Sequence, residues 1–573
     1  MKPKYILPIA AAAFLGLASC SDFLTEDPKG QLTPRGFFDS QANLDASVNA
    51  LYFNVQRSQC NSNPMIVQCQ GDDMTSTTGS NKAAYLSADA FEVPTDTKGL
   101  EWLWKWQYNI IQAANLIIDN AGQTPVSQEN INQALGQAHY WRAYAYFNLV
   151  RVFGPLPVNA HNEPDNNTTA PSSVSDIYNM IVKDLKIAES FNLPVKYTGE
   201  NKSVGGMNIF ISEQAVKSTL AAVYMNMAGF PLNLTDYYSL AADKAKEVVD
   251  GVKAGKYPHS LCSEWKDVYS YGNNFSPEAI VAITYNSNTG GWSNSDSQMS
   301  SCHQLGSLSG WGDFLAERYF WSRFPEGPRK DYVYARKLRS NYTDPSTNQP
   351  VLVDWWATTD GKKYNGKTGS ESNAVVSEYR PMFVGFTVNA TADGQPLAAP
   401  YDYAAPFWGG MCIYKTHQVI RYSEVLCWFA EASARSGKYA AEARAALEDV
   451  QRRAYADPAV ADNSDLAEAA FREHGFEVAG NAYSLVTRRA DEFRMNRLKQ
   501  AYDYRVGPQT AVLVPAGTLT QSCDAMGNPF TYELEEDVVV PENMPVTVAW
   551  QGDNSMYQIY PPKETEKNPG LKR

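Results

Sequence analysis

The sequence predicts a mainly α-helical protein, with helix pairs packed in solenoid fashion beside an irregular, loop-rich half that carries a few short strands. Three observations lead there. Apolar residues recur at helical spacing in two blocks, residues 100–252 and 418–455. Between them, from Tyr257 to Trp408, that period vanishes and Gly, Ser, Asn, Asp and Pro become frequent. Trp and Tyr nevertheless persist through the irregular stretch, and 12 % of the chain is aromatic, which favours ordered loops over disorder.

The elements follow in order. Lys2 and Lys4 precede an apolar run from Tyr5 to Leu17, closed by Leu17-Ala18-Ser19-Cys20. Pro8 and the shortness of the run argue against a membrane span, which needs about 20 apolar residues. The small residues before Cys20 resemble a bacterial lipobox, which implies cleavage before Cys20 and acylation of that residue. Residues 1–19 are then a signal peptide and 20–35 a lipidated tether. A helical region is expected over 36–256, and a second region, with the loop-rich insert and a final helix pair, over 257–573.

Within the first region, Trp102, Trp106, Ile110, Ala113 and Ile117 predict a helix over Leu100–Asn120. Ala138, Trp141, Ala145, Leu149 and Val152 predict a second over Asn130–Phe153, stopped by Gly154-Pro155. Amphipathic segments follow at Val174–Phe191, Ser212–Met227 and Asp236–Val252. In the second region the pattern predicts helices at Gln418–Gly437 and Ala440–Tyr455, with short strands around Val512–Val514 and Val538–Trp550. The turn Arg435–Tyr439 resembles that of a tetratricopeptide helix pair.

Composition narrows the function. With 62 acidic against 49 basic side chains, the formal charge is −13, and no basic stretch is long enough for phosphate-backbone binding. Nucleic acid is therefore not an expected partner. After Cys20, seven cysteines remain, an odd number without a Cys-x-x-Cys, so neither a disulfide scaffold nor a zinc or thiol-redox motif is indicated. Cys60 and Cys69 are close enough in sequence to clip a surface loop. Gly306–Gly310 has Leu308 where a nucleophile elbow needs Ser, Gly251–Lys256 is one residue short of a P-loop, and the six His are scattered singly. The adjacent carboxylates Asp72 and Asp73 suit acid/base work by type, yet neighbours in a loop seldom face one target, so a solvated or hydrogen-bonding role is favoured. No catalytic residue, cofactor or metal is expected.

Several dispersed stretches, in order, resemble the SusD/RagB family of Bacteroidetes outer-membrane lipoproteins. They are Ser21–Leu24 with Asp27-Pro28 after the lipobox, Trp104–Asn115, Tyr140–Pro157, Arg421–Leu426 with Ala430–Ala432, and Ile559–Glu564 with Asn568-Pro569. Phe471–Gly507 departs from the family pattern. The resemblance implies four tetratricopeptide-like helix pairs and an irregular ligand-facing half. It further implies a SusC-type, TonB-dependent β-barrel as partner, with the protein held on the outer membrane and facing the exterior. The function it implies is capture of an oligo- or polysaccharide for import without catalysis. A peptide ligand, as in RagB-type members, is the alternative, and a surface glycan hydrolase is disfavoured.

Energetics constrain the site. A ring stacked on a sugar face hides on the order of 100 Å² of apolar surface, or roughly 2–3 kcal/mol gross. A millimolar site needs about 4 kcal/mol net, so two or three rings must share a surface with polar groups. Asn286–Phe314 offers Trp292 and Trp311 with Asn286, Asn288, Asn294, Asp296 and Gln298, and Tyr85, beyond Asp72-Asp73, is placed to complete the platform. Each ring equally suits the core of the irregular half, and propensity does not separate the two. Trp102, Trp141 and Trp428 lie on periodic helices and are expected in the core. Of Trp355-Trp356, one ring is expected to pack and one to face solvent.

Overall fold

The computed structural model describes residues 34–60, 63–76, 83–94, 96–159, 161, 169–199, 201–269, 275–285, 311–361, 374–376, 379–383, 415–506, 512–539 and 548–571. The long helices are α1 (Gln41–Gln59), α2 (Lys98–Asn120), α3 (Gln128–Phe153), α4 (Val174–Ser190), α5 (Glu213–Ala228), α6 (Tyr237–Lys253), α7 (Tyr422–Ser436), α8 (Ala440–Ala454), α9 (Leu466–Val478) and α10 (Leu498–Val506). Strands of five or more residues are β1 (Ala279–Ile283), β2 (Lys337–Thr343), β3 (Pro350–Asp354), β4 (His417–Arg421), β5 (Leu519–Cys523) and β6 (Pro529–Glu533). All pair in antiparallel twos, β1 with β4, β2 with β3, and β5 with β6.

Local chemistry sets the helix ends. Ser40, Ser127 and Ser173 cap α1, α3 and α4, each side chain accepting from a backbone N–H three residues on. Gly154, at φ 69°, ends α3 before Pro155. Gly437, at φ 72°, ends α7 with its N–H bonded to the Ser433 and Ala434 carbonyls, which turns the chain directly into α8.

Helix α3 is the axis of the helical half, packing against α1, α2 and α4. From Gly136 to Phe153 every residue except Asn148 is buried, so α3 is enclosed all round. Its polar groups therefore need partners. Arg142 donates to both Asp184 oxygens (2.8 and 2.7 Å) and to Asn115, His139 meets Asp184 at 2.7 Å, and Tyr140 meets Thr219 at 2.9 Å. Helices α5 and α6 pack as the next pair, and α7 lies on α6, α8 and α9, so one core runs from α1 to α9.

The irregular half has its own core. Trp355 meets Trp321 and Trp356 edge-on at 5.2 and 5.3 Å, with Tyr379 edge-on at 5.7 Å. Both Trp355 and Trp356 are buried, correcting the expectation of one exposed ring. Trp356 finds a partner for its indole N–H in Thr520 Oγ1 at 2.9 Å, on β5. Strand β4 corrects the expected start of α7. Gln418–Arg421 pairs with β1 instead of extending the helix, so the chain leaves the helical body at β1 and re-enters it at β4. Near the far end of the second region, Val512–Val514 pairs with Val538–Val539, while Val548–Trp550 is not strand. Cys60 and Cys69 form no clip. Cys60 is buried in the helical core and Cys69 in the irregular one.

The two cores meet at a charged seam. Glu477 of α9 accepts from Arg329 (2.9 Å), Arg421 (2.9 Å) and Arg453 (3.0 Å), while Glu278 accepts from Arg421 at 3.4 Å and from Arg453. Burial opposes the charge on Glu477, but Arg453, Arg421 and Arg329 hold its carboxyl well below the usual range. Gly327, at φ 144°, lies so close to α8's end that a Cβ would stand 2.3 Å from the Ala456 nitrogen, so only glycine permits this approach.

Candidate ligand-binding site

A two-residue antiparallel pairing, Met74–Thr75 with Leu315–Ala316, assembles the site. It sets Asp72 and Asp73 beside the chain that follows Trp311, and the Glu317 N–H donates to the Asp73 carbonyl at 3.1 Å. Trp311, Tyr85, Asp72 and Asp73 are thus brought to one ladder. Trp292, Asn294 and Asp296, with Asn286, Asn288 and Gln298, lie outside the described residues, as does Cys20.

The four gathered residues are not equivalent. Trp311 is half-buried and packs on the irregular core. Tyr85, on the short helix Ala83–Asp89, is 5 % exposed, its hydroxyl donating to Asp313 Oδ2 at 3.2 Å and its ring edge-on to Phe314 at 5.6 Å. It therefore supports the surface from beneath and presents no face to a ligand. Asp73 is fully buried and accepts the Gly480 N–H at 2.8 Å. Burial pushes its carboxyl up to about 7, against the Gly480 hydrogen bond and with help from Asp72. Asp72 points the other way, accepting two bonds from Arg488 (2.7 and 3.1 Å) and one from Arg323 (3.1 Å). Burial opposes its ionisation, but these guanidiniums hold it well below the ordinary carboxylate range. The two carboxylates do not converge on a common point.

The structure adds rings that sequence reasoning missed. Tyr319 and Tyr504, both half-exposed, stack with centroids 4.9 Å apart and planes 19° from parallel. The Arg323 guanidinium lies 4.2 Å over Tyr319 while held by Asp72. Tyr319 and Arg323 are four apart on the short helix Arg318–Arg323, a spacing that flags a ring–cation pair, whereas Tyr504 on α10 carried no signal linking it to them. Tyr504 and Arg323 take up the faces of Tyr319, so together these groups offer half-exposed ring edges, phenolic hydroxyls and a pre-positioned guanidinium, which suits hydrogen bonding and apolar contact with a polyhydroxylated ligand.

Other residues resolve into packing roles. Trp141 and Trp428 are buried as expected, and Trp102 is half-buried beside Trp106. His474 is buried between Asp491 (2.5 Å) and Glu424 (3.6 Å). Burial would push it down, but these two carboxylates push it up to about 9. Among the described residues, no group of three or more His, Cys, Asp or Glu side chains is placed to hold a metal ion.

A body of paired helices joined to a loop-built face of half-exposed rings and charges defines an α-helical scaffold protein with one specialised surface. The chain belongs to the SusD family: residues 277–573 match its family model, and residues 22–225 match the SusD-like model described as starch-binding associating with outer membrane. A SusD-like protein of Bacteroides ovatus is 27 % identical over 296 residues, 50 % of each chain, and one of Formosa agariphila is 26 % identical over 223 residues, 38 % of this chain and 42 % of that one. The alignments thus span about half the length of these curated relatives. A solved SusD homologue from Bacteroides thetaiotaomicron superposes with a TM-score of 0.67 at 16 % identity, covering 94 % of this chain and 97 % of that one. A structure described as being with xylogluco-oligosaccharide gives 0.64 at 18 % identity (92 % and 98 % covered), and surface glycan-binding protein A from Bacteroides uniformis 0.60 at 17 % (93 % and 99 %). At these identities the likeness establishes the fold. Among the described residues no helix is long and apolar enough to cross a membrane.

Proposed function

We propose that this protein is a cell-surface glycan-binding lipoprotein that captures an oligo- or polysaccharide and passes it to a SusC-type, TonB-dependent outer-membrane barrel, without catalysis. The observation that carries this reading is the stacked, half-exposed Tyr319–Tyr504 pair with Arg323 fixed over it, continuous along the chain with Trp311. With Tyr319 covered by Tyr504 and Arg323, stacking on a sugar falls to Trp311 and to the side of Tyr504 turned away from Tyr319; two such rings hiding on the order of 100 Å² each give roughly 5 kcal/mol gross, enough for a weak site once polar groups align the hydroxyls. The relatives described as glycan-binding or with xylogluco-oligosaccharide support this ligand class.

Weak affinity suffices where the site is tethered. Acylation at Cys20 and docking on the barrel would hold captured ligand near the pore, making transfer effectively intramolecular. Cys20→Ala is expected to release the protein from membranes with its fold intact. Gentle detergent extraction of the tagged protein is expected to recover a large β-barrel with it.

The deciding measurement is calorimetric titration with neutral oligosaccharides and, in parallel, with peptides. Tyr319→Ala and Trp311→Ala are each expected to weaken oligosaccharide binding about tenfold to hundredfold, and Trp292→Ala likewise. Binding of peptides alone would replace the glycan reading by the RagB-type one, and new reducing ends during the titration would overturn the non-catalytic one.

A further inference from the structure

Among the described residues, the buried guanidiniums of Arg142, Arg329, Arg421, Arg453, Arg488, Arg494 and Arg505 each meet a carboxylate at hydrogen-bond distance. Those of Arg151 and Arg489 meet none among the described residues. Arg151, 5 % exposed at the end of α3, donates Nε to the Phe147 carbonyl (2.9 Å) and Nη2 to Asn148 Oδ1 (2.9 Å), and its Nη1 has no partner. Arg489, 2 % exposed on the helix Arg488–Arg494, donates only to neutral oxygens: Gln70 Oε1 (3.3 and 3.1 Å), the Arg151 carbonyl (3.0 Å) and the Met556 carbonyl (2.8 Å). The nearest carboxylates are engaged elsewhere, Asp491 by His474 and Arg494, and Glu492 by the Asp72 N–H and Arg488.

Both arginines line the same cavity of about 60 Å³, which opens partly to the surface and whose described walls include Asn148, Tyr144, Thr487 and Gln107 and no acidic residue. Since about 10–15 Å³ admits one water, this space admits a halide with accompanying water. Gln107 leaves its Oε1 without a donor, which such a water would supply. Two buried positive charges in one cavity, one with an unmatched donor, require compensation.

We propose that this cavity is a buried anion site, in which a small monovalent anion such as chloride sits between Arg151 and Arg489 and bridges α3 to the helix Arg488–Arg494. Burial lowers both guanidiniums to about 10, and Arg151 adds to the effect on Arg489; this is the direction an uncompensated pair takes. The bound ion would join the helical half to the segment that carries Arg488, and through Arg488 to Asp72 beneath the ring ledge.

The test uses the full chain in sodium chloride, sodium bromide or sodium gluconate at constant ionic strength. Melting temperature is expected to rise saturably by about 1–3 °C in chloride and bromide relative to gluconate, which is too large for the cavity. Arg151→Met is expected to abolish that difference and to melt higher than the unsubstituted protein in gluconate, because an unpaired buried charge has been removed. Arg452→Met, at an exposed guanidinium paired with Asp449, is expected to keep the full difference. Crystals grown in bromide are expected to show anomalous density between Arg151 and Arg489, a readout independent of whether Arg151→Met folds. Identical melting in chloride and gluconate, an anion response retained in Arg151→Met, or an empty cavity in bromide crystals would each overturn the proposal.

Discussion

The helical half and the irregular half solve the same burial problem by different means. In the helical half, sequence neighbours three and four apart share a face, so α2 alone contributes Leu103, Ile110, Ala114 and Ile117 to one core. In the irregular half, Trp321 from the short helix Arg318–Arg323 and the distant Tyr379 meet Trp355 edge-on, and Phe383 joins the same core from a two-residue strand. Local periodicity builds the first core, whereas the second depends on long-range pairings and on a charged seam that joins it to α9. The comparison teaches where each half is vulnerable. Losing one long-range contact should leave the local order of the helical half in place, whereas in the irregular half it should also loosen the loops that the contact positions.

The sharpest way to break the contrast is at Glu477. Glu477→Ala leaves three buried guanidiniums short of the same carboxylate, and a loss of about 5 kcal/mol is expected, the top of the range for removing one partner of a buried pair. Urea unfolding followed by Trp fluorescence should then show the irregular half melting first; a single transition displaced by under about 1 kcal/mol would mean the seam is not what joins the halves. Next, Trp141→Ala and Trp355→Ala compare fully buried indoles in the two cores. Each is expected to cost about 3–5 kcal/mol, but only Trp355→Ala should also weaken oligosaccharide binding, because its core underlies the ledge.

A smaller effect follows from protons. His474 is raised to about 9 in the fold from about 6.5 unfolded, so its stabilisation is complete below pH 6.5 and lost as pH climbs through 9. Asp73, raised to about 7 from 3.8, lowers stability as pH rises between those values, because the unfolded chain's carboxyl ionises while the folded one keeps its proton. Stability should therefore decline from weakly acidic to alkaline pH by about 1–3 kcal/mol. His474→Gln should flatten the upper part of the decline and Asp73→Asn the lower part, both read from urea midpoints at fixed ionic strength. The smallest expected change is Tyr504→Ala, within about 1 kcal/mol in stability, since its ring is half-exposed; a larger loss would place the ring pair in the core and not at a binding face.

The strongly periodic helices were legible because their signal is local, whereas α1, α9 and α10 went unpredicted. The predicted bounds of α2 to α6 and α8 lie within two residues of those observed, and only the start of α7 gave way, to the β1–β4 pairing. The site was legible in part. Tyr85, Asp72, Asp73 and Trp311 do gather, but the ladder that gathers them is two residues long and closes over some 240 positions, which no period reveals. For the same reason Tyr85 and Asp73 read as surface residues although both are buried. The Tyr319–Tyr504 stack joins an insert helix to α10, and the ion pairs of the seam join residues as far apart as Glu278 and Arg453, so neither has a signature within any window of sequence.

The β1–β4 pair has a consequence for how such a protein diversifies. It works as a stem that fixes where the chain leaves and re-enters the helical body, and the entropic charge for lengthening what lies between grows only logarithmically, about 0.6 kcal/mol per doubling. Insertions at turns between Ile283 and His417 are thus cheap for the scaffold as long as they keep the stem's register and the pairings that tie the segment to Met74–Thr75, Glu477 and Thr520. Loop length can in this way vary while the helical frame stays unchanged.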